Sequence, residues 1–222
     1  EQIGKRILQL FEENGVKMIM NSGIKRCIGT DVVTSVELAD GSEIPCDLCI
    51  MGTGTTLNTA FLKESGININ ANGSIDVDMC LRTNVQDIYA GGDIANAPVY
   101  AIGGKQAAIG HYQLAQYHGR IAARNMAGNI TELKTVPFFW TMLFGKSFRY
   151  SGYGTPHEIH IDGNIDELKF VAIHFDKDGL AIGMASCMRD PVVAKFAEYQ
   201  TQGKRLYKND LVAKQLDEIL QA

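Results

Sequence analysis

Apolar residues recur at helical spacing over residues 3–13, where Ile3, Ile7, Leu8 and Phe11 share one side and Asn14-Gly15 supplies a stop. Residues 16–20 alternate instead, with Val16, Met18 and Met20 on one face, which predicts a strand. Two further segments, 32–38 and 42–44, flank Asp40-Gly41, the dipeptide that closes a tight hairpin. A continuous run at 47–51 reads as a buried strand ending at Gly52-Thr53-Gly54. Residues 58–65 read as a short helix, and 73–78 as a strand with Ile75 and Val77 turned inward. The run at 88–90 is short and apolar, and so predicts a buried strand; it stops at Gly91-Gly92, and Asp93 follows at once. Residues 95–105, with Pro98 and Gly103-Gly104, predict a loop. Residues 110–128 then predict a helix with Leu114, His118, Ile121 and Ala122 on one side and Gly128 as its C-cap.

The pattern changes after a linker at 131–137. Residues 148–153, 157–161, 168–175 and 180–187 read as strands, the last two joined through Asp176-Lys177-Asp178-Gly179. Asp190-Pro191 predicts an N-cap followed by proline at the first helical position. The helix after it carries Val192, Phe196 and Tyr199 on one face. A last helix begins at Asn209 or Asp210 and offers Leu211, Leu216, Ile219 and Leu220 to a core. Antiparallel strands followed by helices on one face predict an α+β domain.

Composition narrows the function classes. A net charge of −4 gives no basis for a nucleic-acid or anionic-membrane partner. No apolar run reaches membrane-spanning length, and the first residues have the pattern of neither a signal nor a transit peptide. Five irregularly spaced cysteines, an odd number, favour reduced thiols in an intracellular compartment. Cys46 and Cys49 are three apart on a predicted strand, where they point to opposite faces; that argues against a redox pair and, with no second pair, against zinc.

The chemistry centres on Tyr89-Ala90-Gly91-Gly92-Asp93-Ile94-Ala95. Two glycines let a ligand approach the backbone, and an acceptor-only carboxylate stands where open α/β sheets bind ligands. An ionised Asp93 suits a sugar-type hydroxyl, because a charge-assisted bond is about twice as strong as a neutral one. The helix that follows offers unpaired N–H groups and a positive dipole end, and its small residues, Ala115, Gly119, Ala122 and Ala123, allow close packing on a sheet. No Gly-x-Gly-x-x-Gly stands between a strand and a helix anywhere in the chain.

This strand, Gly-Gly-Asp turn and small-residue helix resemble the second flavin fingerprint of the two-dinucleotide-fold flavoprotein reductases: ferredoxin, putidaredoxin and rubredoxin reductases and apoptosis-inducing factor. Together with Gly119-Arg120-Ile121-Ala122-Ala123-Arg124-Asn125-Met126 and Phe138-Phe139-Trp140, it is most similar to the apoptosis-inducing-factor-like branch, some of whose members carry an N-terminal Rieske iron–sulfur domain. The resemblance implies a fold that is α/β plus α+β: the closing elements of such a reductase followed by a small C-terminal α+β domain. Residues 1–53 would end the NAD(P)-binding domain, 54–134 would be the returning segment of the FAD-binding domain, and 135–222 the C-terminal reductase domain.

It also implies residue roles. Asp93 would hydrogen-bond the FAD ribityl chain, with Gly92 as its close-approach neighbour. The backbone N–H groups at His111 and Tyr112 would face the flavin pyrimidine, and Trp140 would lie against the isoalloxazine. Residues 95–105 would fold over the cofactor edge. Gly54 would lie beside the nicotinamide cofactor, although Leu57-Asn58 stands where the family usually has Pro-Asn, and Thr141-Met142 where it commonly has Ser-Asp. The implied activity is oxidation of NAD(P)H through FAD, with electrons passed to an acceptor protein or a fused Rieske domain; a 2Fe-2S cluster would belong to a separate N-terminal domain outside this chain. A mitochondrial location and a pro-apoptotic role come with the branch. The 222 residues alone, lacking both glycine-rich loops, are expected to be inactive. The alternative is a non-catalytic pro-apoptotic or scaffolding protein on a decayed reductase fold.

Overall fold

The structure, a computed structural model, describes residues 1–220 and divides into two compact units, Glu1–Thr55 and Thr56–Ala222. In the first, the amphipathic pattern of residues 3–13 becomes helix α1 (Gln2–Glu13), which buries Leu10 and ends where the Asn14 side chain donates to the Leu10 carbonyl at 2.8 Å. An antiparallel sheet of β1 (Ile24–Ile28), β2 (Ser35–Leu38) and β3 (Glu43–Pro45) follows, in that order. The Asp-Gly hairpin joins β2 to β3. Asp40 Oδ1 accepts bonds from the Ser42 N–H at 2.9 Å and its hydroxyl at 2.6 Å. Glu37 on β2 is buried between the Lys25 ammonium and the Arg26 guanidinium, and hydrogen bonds from both hold its carboxyl below the ordinary glutamate range.

Two predicted strands do not form in this unit. Residues 16–20 and 47–51 are extended or bent without ladder partners, and Leu48 and Ile50 are 72% and 85% exposed. An apolar run becomes a strand only where a neighbour takes its backbone N–H and C=O groups, and the described residues of this unit supply none. Conversely, β1 carries little apolar signal because it is an exposed edge strand with Lys25 and Arg26 near its start.

The second unit contains two sheets. In the smaller, β4 (Ile75–Asp76) pairs parallel with β5 (Ala95–Val99), and β5 pairs antiparallel with β6 (Lys105–Ala108). Residues 95–105, predicted as a loop, therefore form most of a hairpin, because Ala95, Ala97 and Val99 alternate inward beneath the turn at Gly103-Gly104. Residues 58–65 contain only a 3-10 turn at Ala60–Leu62. The run 88–90 makes a single bridge, Arg82 to Tyr89, with Ile88 exposed, so it is an extended segment rather than a buried strand. Ile75 and Val77 face inward as predicted and pack with Leu81, Ala95, Ile121 and Leu133.

Helix α2 (Tyr112–Met126) is the support of this core. It ends in a Schellman arrangement, with Gly128 N–H donating to Asn125 O and Asn129 N–H to Arg124 O. Asn125, only 4% exposed, donates to Cys80 O at 2.9 Å and to Thr131 O at 2.8 Å, and accepts from Thr131 N–H at 2.6 Å. Residues 131–137 are thus a packed strap rather than a free linker, with Leu133 and Val136 buried and Leu133 N–H donating to Met79 O.

The larger sheet is antiparallel, in the order β7-β8-β11-β10-β9: β7 (Phe138–Leu143), β8 (Lys146–Gly152), β9 (Glu158–Asn164), β10 (Lys169–Phe175) and β11 (Ala181–Cys187). Four of these match predicted strands; β7 was not predicted. Helix α3 (Val192–Thr201) packs on the sheet through Val193 and Phe196, with α4 (Asp210–Ala213) and α5 (Leu216–Ile219) beyond it. Val171, Ile173, Phe175, Met184 and Leu206 complete the core; a fully buried side chain of this size is worth about 1.5–3 kcal/mol. The predicted last helix is broken into α4 and α5, yet Leu216, Ile219 and Leu220 are buried. Asp190 is not the N-cap; Pro191 takes that position. The Asp190 carboxylate instead accepts from Ser147 Oγ at 2.7 Å and pairs with Arg149 Nε at 3.2 Å, tying β8 to the start of α3.

Replacing Asn125 by Leu leaves the Cys80 and Thr131 carbonyls and the Thr131 N–H without partners. At roughly 1–3 kcal/mol for a buried group left unsatisfied, the variant is expected to lose at least that much stability in urea denaturation. A midpoint equal to wild type would show that the strap is held by its apolar contacts alone.

Candidate functional site

The site begins where β5 begins. Gly91 is extended, and Gly92–Ile94 form a 3-10 turn with Gly92 at φ +77°, a conformation that penalises any residue with a Cβ. The turn rests directly on α2: a Cβ on Gly91 would stand 3.0 Å from the His118 Cβ, and one on Gly92 would stand 3.6 Å from the Ala115 Cβ. Gly92 N–H donates to His118 Nδ1 at 3.1 Å. His118 is 2% exposed, and burial holds its pKa below the ordinary histidine value.

Asp93 is exposed and makes no hydrogen bond or ion pair among the described residues. Its carboxylate lies beside Gly110, 3.6 Å from where a Cβ on that glycine would be. Gly110 and His111 lead into α2; His111 is the N-cap, makes no side-chain capping bond, and no acidic residue stands in the first turn. The first N–H groups of α2 and its positive dipole end are thus open beside an unengaged carboxylate.

The His111 ring meets Phe139 edge-on at 4.4 Å and lies 5.0 Å from the Tyr112 ring. Behind Phe139 the row continues to Tyr150 at 6.0 Å and on to His174 at 5.8 Å. Burial raises the Tyr150 pKa and lowers that of His174. Gly92, Asp93, His111 and Tyr112 are therefore gathered around the start of α2. Trp140 is not part of this row. It is 49% exposed, its ring lies 6.4 Å from Phe138, and strand alternation puts it on the opposite face of β7 from Phe139. Phe139 is the aromatic that reaches His111. Recognising β7 as a strand would have separated Phe139 from Trp140. Gly54 belongs to the first unit, with no atom within 4 Å of where its Cβ would be.

Two concave surfaces flank α2. One, of about 430 Å³, runs along Tyr89, Gly91, Gly92, Ala115, Gly119 and Met126. The other, of about 640 Å³, lies between α2, the strap and α3, and reaches the site through His111 and Phe139. The smaller one carries the Gly-Gly backbone, and Asp93 follows directly on its edge in the chain.

Residues 1–119 match the family described as pyridine nucleotide-disulphide oxidoreductase. The chain belongs to that family. It is homologous to human apoptosis-inducing factor 3, 36% identical over 213 residues that make up 95% of this chain and 35% of that protein. Its fold is that of putidaredoxin reductase in the covalent putidaredoxin reductase–putidaredoxin complex, with a TM-score of 0.84 and 19% identity over 99% of this chain and 53% of that one. It also matches the ferredoxin reductase for the CYP199A2 system from Rhodopseudomonas palustris, with a TM-score of 0.79 and 24% identity over 93% of this chain and 50% of that one. The chain thus spans about a third of the human protein and about half of each solved structure. The family and these neighbours are FAD-dependent pyridine nucleotide oxidoreductases with mixed α/β folds.

No two of the five cysteines are joined by a disulfide, and among the described residues no group of three or more His, Cys, Asp or Glu is arranged to hold a metal. Because residues 47–51 form no strand, the opposite-face argument for Cys46 and Cys49 does not apply. Both are half-buried instead, and Cys49 lies near Cys27. Burial first, then hydrogen bonding and charge interaction with Cys27, push the Cys49 thiol up. Only the thiolate is nucleophilic, so Cys49 is expected to alkylate with iodoacetamide severalfold more slowly than exposed Cys27 at neutral pH. Equal rates by peptide mass spectrometry would contradict that order.

Proposed function

We propose that this chain supplies the ribityl- and pyrimidine-contacting side of a flavin site, in an enzyme that oxidises NAD(P)H and passes electrons to a one-electron or iron–sulfur acceptor. The observation that carries the reading is the unengaged Asp93 carboxylate beside the open N-terminus of α2, next to a backbone bare of Cβ atoms at Gly91 and Gly92. These residues fit a flavin. Asp93 accepts from a polyol hydroxyl, Gly91-Gly92 admit the chain, and the α2 N–H groups donate to a ring carbonyl. Bound flavin would take a hydride from the nicotinamide and give up its electrons one at a time. Fixed N–H donors at the start of α2 would stabilise negative charge on that carbonyl and so would favour the reduced form of the cofactor.

The residue ranges 1–53, 54–134 and 135–222 are proposed as the end of the NAD(P)-binding domain, the returning FAD segment and the C-terminal domain. Distinct hydrophobic clusters around α2 and around α3 support the last boundary, and a third, of Val99, Ala101, Ala107 and Val136 with Tyr153 and Ala197, bridges it. Exposed Met142 on edge strand β7 would face the electron acceptor, and Trp140, exposed on the same strand, would lie against the isoalloxazine. A ferredoxin-type acceptor is supported by the neighbouring reductases, one of them seen bound to putidaredoxin. A fused Rieske domain carrying 2Fe-2S, a pro-apoptotic role and a mitochondrial location rest on resemblance to the apoptosis-inducing-factor branch. No helix among the described residues is long and apolar enough to cross a membrane.

The full-length protein is expected to be yellow and to bleach when NADH or NADPH is added anaerobically. A colourless protein that takes up no FAD would instead favour an interaction role on this fold. In the same protein, Asp93→Ala is expected to weaken FAD binding by roughly 1.5–3 kcal/mol, the worth of a hydrogen bond to a charged group. Flavin retention through dialysis equal to wild type would sink the assignment of Asp93.

A further inference from the structure

We infer that His118 is a positioning residue for the flavin site, holding the Gly91-Gly92-Asp93 turn through its neutral imidazole and releasing it when protonated. This rests on Asp93 being a flavin ligand. His118 lies on α2 nearly two turns beyond its N-cap and touches neither Asp93 nor the open helix end; it acts through one bond. Gly92 N–H donates to Nδ1, so that nitrogen carries no proton and the neutral ring is protonated at Nε2. Nε2 is itself buried without a hydrogen-bond partner. An apolar side chain would fill the same place with no orphan donor, so what the imidazole adds here is the acceptor for Gly92.

That acceptor sets the turn. Gly92 sits at φ +77° with its N–H on His118, and Asp93 is the next residue. In the imidazolium both ring nitrogens carry protons, and Nδ1–H would then face Gly92 N–H, donor against donor. The turn would lose its tether and Asp93 its fixed direction. The surroundings oppose protonation. The void beside the ring is lined by Ala97, Val99, Ala107, Leu114, Leu133, Thr135 and neighbouring prolines and isoleucine, without a titratable group. The charged or titratable groups on the same elements are Asp93 on the turn, Lys105 on β6, His111, Tyr112, Tyr117, Arg120 and Arg124 on α2, and Glu132 and Lys134 on the strap; none lines that void, and the last two pair with each other. Burial accordingly keeps the His118 pKa below its ordinary value. The sign follows: the tether is complete above that pKa and is lost as pH falls through it, so flavin affinity falls on the acid side by up to about tenfold per pH unit.

The test uses the full-length holoprotein, with FAD release read by the fluorescence gained on leaving the protein, from about pH 5 to about pH 8 across the histidine range. His118→Asn places an oxygen acceptor near the Nδ1 position and does not titrate; it is expected to bind FAD as wild type at the alkaline end and to lose the acid-side decline. His118→Leu keeps the burial and removes the acceptor; it is expected to bind FAD several- to about tenfold more weakly at every pH. An acid-side decline retained in His118→Asn, or its absence from wild type, would overturn the inference, as would wild-type affinity in His118→Leu with a wild-type melting temperature. If His118→Leu does not fold, the His118→Asn profile decides alone. Asp93→Ala separates the two claims: if it leaves FAD affinity unchanged, the flavin-site reading fails; if it weakens binding while both His118 variants track wild type at every pH, only the role of His118 fails.

Discussion

The second unit depends on how closely the chain at residues 91–92 lies on α2. With 3.0 Å between the His118 Cβ and the place a Cβ on Gly91 would take, no side chain fits between turn and helix. That contact brings the end of one segment, the start of β5 and the N-terminus of α2 to one place. At the other end of the same helix, Asn125 gathers the Cys80 loop and the strap. The helix is thus fixed near its middle by the His118–Gly92 bond, at its C-terminal end by Asn125, and between them by the packing of Ile121 and Ala122, while its N-terminus stays open. The Asp93 carboxylate is left outside this packing, held in place by a rigid support while its own lone pairs stay available to a ligand.

Much of this was legible in the sequence. The Asp-Gly hairpin, the inward Ile75 and Val77, helix α2 with its buried face, four of the five strands of the large sheet and the core residues of α3 all follow from spacing and turn chemistry. Gly91-Gly92-Asp93 could be read from residue types as a Cβ-free turn, but such a turn is by itself commoner than a ligand site, and only the small-residue helix after it and the family resemblance single it out. What escaped was whatever depends on a neighbour. Residues 16–20 and 47–51 have strand composition and no ladder to join. β1 has a partner and almost no apolar pattern. Residues 95–105 looked like a loop because Pro98 and the glycine pair mask the alternation of Ala95, Ala97 and Val99. The tie between His118 and Gly92 spans 26 positions and is invisible to any local pattern.

The C-terminal sheet shows how direction matters as much as identity. Phe138, Phe139 and Trp140 are adjacent aromatics, yet the pleat of β7 sends the middle one to His111 and the outer two to the other face. One strand thus contributes an aromatic to the row that starts at α2 and another to the exposed edge. A single residue of register slip in β7 would exchange those roles.

The unladdered apolar segment in the first unit bears on how the polypeptide behaves in solution. Leu48, Ile50 and Met51 stand in an extended stretch without a proline, with their backbone groups unclaimed by any strand. Such a stretch can take up another chain as readily as it could a neighbour of its own. Handled as these 222 residues, the protein is therefore prone to self-association at high concentration, and Asp47 is the only charge within that short run to oppose it.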